Sequence, residues 1–306
     1  MNIVFMGTPD FAVSSLDRLV NDGHNISAVF TKVDMPRGRK MVMTPPEVKV
    51  YAESKGLTVY QPQSLKDDNV IDTIKSLNPD VIVVVAYGKL LPPAVLEIPR
   101  LGCINLHGSL LPKYRGAAPI QWTVINGDKV GGATTMYMNE GLDTGDMILT
   151  YETEVGENET SGEFFDRLAV DGADLLSRTL NLLEEGTAPR IPQDESKASY
   201  ASMLDKTMCI IDWNKSCDEV HNLVRGLNPW PVALTTLEGK RVKIISTRKS
   251  SLKGNPGQVV CVNPLTVACG SGSVEILTLQ PEGKKAMDSK SFLMGHRLDN
   301  TNYFGK

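Results

Sequence analysis

Asn2-Ile3-Val4-Phe5-Met6-Gly7-Thr8-Pro9-Asp10-Phe11-Ala12-Val13-Ser14-Ser15-Leu16-Asp17-Arg18-Leu19-Val20-Asn21 opens the chain. Residues 2–6 read as a short apolar strand, Gly7-Thr8-Pro9-Asp10 as a turn, and 11–21 as an amphipathic helix with Phe11, Leu16, Leu19 and Val20 on its core face. Strand, glycine turn and helix in this order open a doubly wound α/β fold. A nicotinamide fingerprint would need G-x-G-x-x-G at the turn. One glycine followed by Thr8-Pro9 does not supply it, so no dinucleotide is expected.

The alternation continues outward. Residues 25–31 and 57–60 read as strands, and 46–55 and 69–77 as helices. The β-branched run at 81–86 reads as a central parallel strand buried on both faces. It ends in Tyr87-Gly88-Lys89-Leu90-Leu91-Pro92. The next strand, 103–106, lies in Gly102-Cys103-Ile104-Asn105-Leu106-His107-Gly108-Ser109-Leu110-Leu111-Pro112-Lys113-Tyr114-Arg115-Gly116-Ala117-Ala118-Pro119. In open α/β sheets the ligand crevice lies beyond the carboxyl ends of the strands, so the loops after these two strands should lie near one another.

Asn105 and His107 interrupt the apolar run, and period-two alternation puts them on one side of the strand. An amide donor beside an imidazole makes a reaction centre, because histidine is the usual acid–base residue near neutral pH. A strand end reaching solvent would carry the same residues. Residues 119–126 read as a helix, with strands at 133–139 and 147–153. Between those strands stands Glu140-Gly141-Leu142-Asp143-Thr144-Gly145-Asp146, either a plain hairpin loop or the source of a third partner. A carboxylate from it could orient the imidazole, and Asp143 and Asp146 are the rivals.

A long helix over 161–185 begins at a serine and stops at Gly186, and 187–201 is polar and proline-bearing, like a linker. After Cys209 the pattern changes. A helix at 216–226 leads to Asn228-Pro229-Trp230-Pro231 and then to short strands at 233–237, 241–247, 257–262, 265–269 and 274–278. Short strands separated by glycines suggest a small OB-like barrel, an architecture suited to nucleic acid.

Charge points the same way. Residues 207–306 hold thirteen Lys and Arg against eight Asp and Glu, net +5, while 1–206 hold nineteen against twenty-eight, net −9. A basic module on an acidic one suggests a polyanionic partner such as RNA, although a solvated surface can carry the same charge. A second basic stretch, 32–46, has three prolines, one glycine and four positive charges. It reads as a long loop, either merely solvated or able to grip phosphates while Met and Val make apolar contacts. No segment approaches the roughly 20 apolar residues of a membrane span, and no signal peptide is read at the N-terminus. Five cysteines (103, 209, 217, 261 and 269) form no CxxC pair or metal-ligand spacing. Reduced thiols, a cytoplasmic location, no metal and a monomer are expected.

Asn105-x-His107 followed by Ser109-Leu110-Leu111-Pro112-Lys113-Tyr114-Arg115-Gly116-Ala117-Ala118-Pro119-Ile120 resembles the hallmark of the folate-dependent formyltransferases. Met6-Gly7-Thr8-Pro9-Asp10-Phe11-Ala12, Gly141-Leu142-Asp143-Thr144-Gly145-Asp146 and Asn228-Pro229-Trp230-Pro231 resemble the same family in the same order, so the likeness covers nearly the whole chain. It implies a Rossmann-like formyltransferase domain over 1–188, a linker at 189–206, and an OB-like tRNA-binding domain over 207–306. It also implies transfer of a formyl group from 10-formyltetrahydrofolate, a co-substrate with no tightly bound cofactor, to the α-amino group of methionine on initiator tRNA.

The residues follow from the same resemblance. Asn105, His107 and Asp143 become the catalytic set, Asp143 because the family places its acid first in Asp-x-Gly-Asp. Tyr87, Gly88, Leu90 and Leu91 wall the pterin pocket with Ser109, Leu110, Leu111 and Pro112, and Met138 and Glu140 join them. The basic loop meets tRNA through Arg37, Arg39 and Lys40, and the barrel through Arg241, Lys243, Arg248 and Lys249. The chain departs from the family at Lys40, where a glycine is usual after Gly38-Arg39. It departs again at Ser14 and at Thr207-Met208-Cys209-Ile210, none of which touches the chemistry. The same centre could serve glycinamide ribonucleotide, a nucleotide sugar or water as acceptor. A non-catalytic RNA-binding protein is the other alternative.

Overall fold

The computed structural model describes residues 1–38 and 41–306, which divide into two compact units. In chain order the first elements are β1 (Asn2–Gly7), α1 (Asp10–Asn21), β2 (Asn25–Phe30), β3 (Met35–Arg37), β4 (Val42–Thr44), α2 (Glu47–Ser54), β5 (Val59–Tyr60), α3 (Asp68–Ser76), β6 (Val81–Val85) and α4 (Pro93–Leu96). Then come β7 (Cys103–His107), β8 (Arg115–Gly116), α5 (Pro119–Ile125), β9 (Val130–Tyr137), β10 (Met147–Glu154), α6 (Ser161–Glu184) and β11 (Tyr200–Ala201).

The first unit comprises Met1–Pro119, Gly132–Thr153 and Phe165–Ala201. Its seven-stranded sheet runs β10-β9-β7-β6-β1-β2-β5. β6 is Val-Ile-Val-Val-Val, buried at every position and paired in parallel with β1 on one side and β7 on the other. Both faces are covered, which is why the run is continuous and not alternating. α1 buries Phe11, Ala12, Leu16 and Leu19, the 3.6-residue stripe that its spacing predicts. β9 runs antiparallel to β7, pairing Asn105 with Met136 and His107 with Thr134.

Two expectations change. The stretch 32–46 is not a structureless loop: β3 and β4 pair antiparallel, with Met35 opposite Thr44 and Pro36 opposite Met43. An isolated two-stranded ribbon has free edges on both sides, so Pro36 needs no donor there. The stretch read as a linker belongs to the first unit as far as Ala201. Ile191 bridges Met147, and β11 pairs in parallel with β8.

The second unit comprises Ile120–Gly131, Glu154–Phe164 and Ser202–Lys306. It holds α7 (Cys217–Gly226), β12 (Ala233–Leu237), β13 (Lys240–Ser250), β14 (Val259–Val262), β15 (Leu265–Ala268), β16 (Ser273–Pro281), β17 (Met287–Asp288) and α8 (Ser289–Gly295). Ser216 caps α7 in a reciprocal box: its Oγ accepts from Glu219 N at 3.2 Å, and a Glu219 carboxylate oxygen accepts from Ser216 N at 3.0 Å. The antiparallel sheet runs β12-β13-β16-β15-β14, with β17 beside β16. Phe304 bridges Leu237 at the end of β12, and Tyr303 bridges Gln258 just before β14. One segment thus joins the two outer strands. Phe304 is buried and packs against Trp213 with ring centroids 6.0 Å apart.

A buried histidine makes this unit pH-sensitive. His221 Nε2 lies 3.1 Å from the Glu157 carbonyl oxygen, and Nδ1 lies 2.9 Å from Thr247 Oγ1. A carbonyl only accepts, so Nε2 carries the proton and Nδ1 takes the Thr247 hydroxyl. Burial lowers the His221 pKa below 6.5. Arg225 and Lys249 push the same way, against the Glu157 carbonyl and carboxylate. The unfolded chain therefore binds more protons in acid, and the stability present above about pH 6.5 is lost as pH falls toward the depressed value. The midpoint of thermal unfolding should fall between pH 7 and pH 5, and His221→Gln should flatten that slope. Some slope will remain, because burial also lowers His24. An unchanged slope in His221→Gln would place the dependence elsewhere.

Candidate active site

β7 delivers Asn105 and His107 to one face of the sheet, both at least nine-tenths buried. The Asn105 side chain makes no hydrogen bond to any described residue, so its amide is free to bind something else. His107 is held from both ends. Nε2 lies 2.9 Å from the Tyr114 carbonyl oxygen, and Nδ1 lies 3.7 Å from Asp143 Oδ2. Since the carbonyl only accepts, Nε2 is the donating nitrogen, and Nδ1 is the one that faces the carboxylate.

Asp143 stands in the loop between β9 and β10 with φ at 53°, a left-handed conformation that Asp tolerates better than most residues. Its Oδ2 accepts from Gly116 N at 2.8 Å. Its rival, Asp146, lies 3.6 Å from Arg190 and not against His107. Arg190 in turn sits over the Tyr137 ring, 3.6 Å from its centroid. Imidazole, carboxylate and an unengaged amide thus meet at the carboxyl edge of the sheet, a set suited to acyl transfer.

The residues read as pocket walls divide into two groups. Tyr87 and Leu91 are buried in the core cluster with Met6, Val84 and Cys103, and Met138 packs against it. Burial pushes the Tyr87 hydroxyl up to about 12, and that oxygen has no hydrogen-bond partner. Gly88, at φ 72°, leaves room for the Lys32 ammonium, which a Cβ would meet. Leu90 is 70% exposed, and Glu140 is also at the surface. Ser109 builds the turn after β7: its Oγ donates to Lys113 O at 2.6 Å and its carbonyl accepts from Thr134 Oγ1 at 2.7 Å. Leu111 N donates to the same Thr134 hydroxyl at 3.1 Å, which fixes the Leu110-Leu111-Pro112 segment.

Of the basic positions, Arg39, Lys40 and the Arg37 side chain lie outside the described residues. Arg241 and Lys243 are exposed on β13. Arg248 is exposed, 3.9 Å from Glu275. Lys249 is ion-paired: its ammonium lies 2.9 Å from both Glu157 and Asp218, and those hydrogen bonds raise its pKa. Neither partner is near it in sequence.

Sequence reading missed Arg115, Gln193 and Glu195. Arg115 is buried yet charged, and it needs partners. Its Nη1 and Nη2 donate to the Glu195 carboxylate at 2.9 and 2.7 Å, and Nε and Nη2 donate to Gln193 Oε1 at 3.1 and 2.8 Å. The Glu195 bond raises the Arg115 pKa, and the same bond lowers that of Glu195. Arg115 stood in the quoted motif, but Gln193 lay in a segment whose composition gave no signal. Among the described residues no cluster of His, Cys, Asp and Glu could hold a metal, and no helix is long and apolar enough to cross a membrane.

Comparison with known proteins adds to this geometry. The formyl transferase family model matches residues 1–180, and the formyl transferase C-terminal domain model matches 203–297. A protein of Acetivibrio thermocellus named methionyl-tRNA formyltransferase is 46% identical over 311 residues, covering 100% of both chains. One of the same name from Clostridium novyi is 49% identical over 306 residues, covering 98% of each. Among solved structures, the N-formyltransferase of Helicobacter canadensis, with folinic acid and dTDP-3-aminofucose, superposes with a TM-score of 0.66 at 18% identity, covering 90% of this chain and 98% of that one. HypX from Aquifex aeolicus, in complex with tetrahydrofolic acid, gives 0.64 at 16%, covering 95% of this chain and 46% of that one. At such identities these two establish shared fold.

Proposed function

The chain belongs to the formyl transferase family, and from that premise we propose that it transfers the formyl group of 10-formyltetrahydrofolate to the α-amino group of methionyl initiator tRNA. One observation carries the choice of acceptor: identity of 46 and 49% runs across the full length of relatives with that name, second domain included. The site supplies the chemistry. An aminoacyl amine is near its pKa at neutral pH, so part of it is already nucleophilic. Its nitrogen attacks the formyl carbon, the carbonyl π pair moves onto oxygen, and a tetrahedral intermediate forms. The Asn105 amide donates to that oxygen and protonated His107 adds positive charge beside it; one such donor is typically worth about 10²–10³ in rate. Collapse breaks the bond to N10, and a proton passes from the attacking amine toward N10. Asp143 holds His107 in position for that transfer.

Folate is a co-substrate in this scheme and leaves as tetrahydrofolate. Its pterin would lie along the loops at 87–91 and 109–112, with Leu90 the exposed apolar contact and the buried Leu91 and Tyr87 the support behind it. The test is direct: purified protein, 10-formyltetrahydrofolate and Met-tRNA should give formyl-Met-tRNA. No product under those conditions refutes the assignment.

The barrel should contribute phosphate contacts through Arg241 and Lys243, which are exposed on one strand. Each lysine or arginine on a phosphate releases counterions, so log affinity should fall linearly with log salt. Replacing either residue by methionine should weaken tRNA binding and make that slope shallower by about one. Folate binding should not change. Lys249→Met should leave the slope as it is, since Glu157 and Asp218 already occupy its charge.

A further inference from the structure

The catalytic acid does not hold its own position. Asp143 is in a left-handed conformation within a loop that includes Gly141 and Gly145, a stretch able to adopt other shapes. Two bonds from one side-chain amide restrain the loop backbone from outside. Gln193 Nε2 donates to the carbonyl oxygens of Asp143 and Gly145, each at 2.8 Å. The other end of that amide is occupied as well, because Gln193 Oε1 accepts two bonds from the buried Arg115 guanidinium. Arg115 is itself fixed by Glu195, and the next residue, Gly116, donates its N–H to the Asp143 carboxylate.

We propose that Gln193 is a positioning residue for the transfer reaction, acting through the Asp143–Gly145 backbone to hold the Asp143 carboxylate against His107; this rests on the functional reading above. The amide suits the task because it accepts at one end and donates twice at the other. Arg115 fixes which end is which: a guanidinium can only donate, so it must face Oε1, and the NH₂ must face the two carbonyls. Glutamate keeps the partner for Arg115 but presents an oxygen to two carbonyl oxygens. Methionine keeps the volume and loses both contacts.

Misplacing a catalytic group by about 1 Å can cost on the order of 10²-fold in rate. Gln193→Glu should therefore lower kcat by about that factor while the KM for 10-formyltetrahydrofolate and for Met-tRNA stays within about threefold. Gln193→Met should show the same split, and Gln193→Asn, whose amide is one methylene short, should recover part of the loss. The decisive measurement is a double-mutant cycle between Gln193→Glu and Asp143→Asn, with kcat and thermal unfolding followed for every variant. If Gln193 acts through Asp143, the two losses do not add, and Gln193→Glu costs little once the carboxylate is gone. Additive losses, or losses that follow unfolding temperature and raise KM with kcat, would overturn the positioning role. Wild-type enzyme assayed alongside separates the two failures: if it makes no formyl-Met-tRNA, the functional reading falls and this inference with it. An active wild type with a Gln193→Glu variant of equal kcat sinks only the inference.

Discussion

Alanine at position 107 is expected to reduce formylation by about 10³-fold, within the 10²–10⁴ range of a positioned acid–base group. The imidazole stands between the Tyr114 carbonyl and the Asp143 carboxylate, and no other described residue takes the place beside both. Alanine also removes the Nε2 bond to the Tyr114 carbonyl, which adds local rearrangement to the loss. His107→Gln separates the two effects. Its amide can still donate to Tyr114, but it cannot carry a proton to and fro. If glutamine is as inactive as alanine in a folded protein with unchanged folate binding, the loss is chemical. If glutamine restores near wild-type turnover, His107 has a structural role and the mechanism fails at its centre.

Gly145→Ala is the second large effect, and here sterics decide. A Cβ built on Gly145 would overlap the Tyr137 carbonyl oxygen and approach the Met136 side chain. The chain cannot draw away easily. Tyr137 N takes the Asp146 carbonyl at 2.9 Å, and Gln193 takes the Gly145 carbonyl. Relief requires breaking one of these bonds and moving the Asp143–Asp146 segment, at an expected cost of about 1–3 kcal/mol, as for overpacked cores. Turnover should drop together with unfolding temperature, by at least tenfold, because Asp143 is on the displaced segment. Gly141→Ala, which a Cβ would crowd only against the Thr144 side chain, should be milder. Equal stability and activity in both variants would show that the loop yields without cost.

The parts of the fold that were legible have short-range causes. β6 announces itself by five consecutive β-branched residues, and α1 by its apolar stripe. Asn105 and His107 stand out because they break an apolar run, and two positions along a strand return to the same face. Asp143 was different. Nothing local separates it from Asp146, and only the resemblance ranked them before their surroundings were seen. Gln193 could not be found at all, since its bonds reach 50 residues back to Asp143 and 78 to Arg115. The ion pairs of Lys249 were hidden for a related reason: a charge count cannot see that Glu157 and Asp218 converge on one ammonium. The β3–β4 ribbon was hidden by Pro36, which argues against a central strand but not against an exposed edge.

The bridge made by Tyr303 and Phe304 has a consequence for the order of synthesis. Phe304 N donates to Gly257 O, Gly305 N to Thr236 O, and Val259 N to Asn302 O, so both outer strands depend on residues translated after all the others in the sheet. Until residues 302–305 have been made and have emerged, β14 presents an unpaired edge, β12 is bridged on its outer side only at Ile210–Leu234, and the Trp213 ring lacks its Phe304 cover. Unpaired strand edges are the usual route to wrong pairing between nascent chains. This unit cannot complete its fold one element at a time as it emerges. It must wait for residues 302–305 to be released from the exit tunnel, and its yield in the cell should depend on how long that interval lasts.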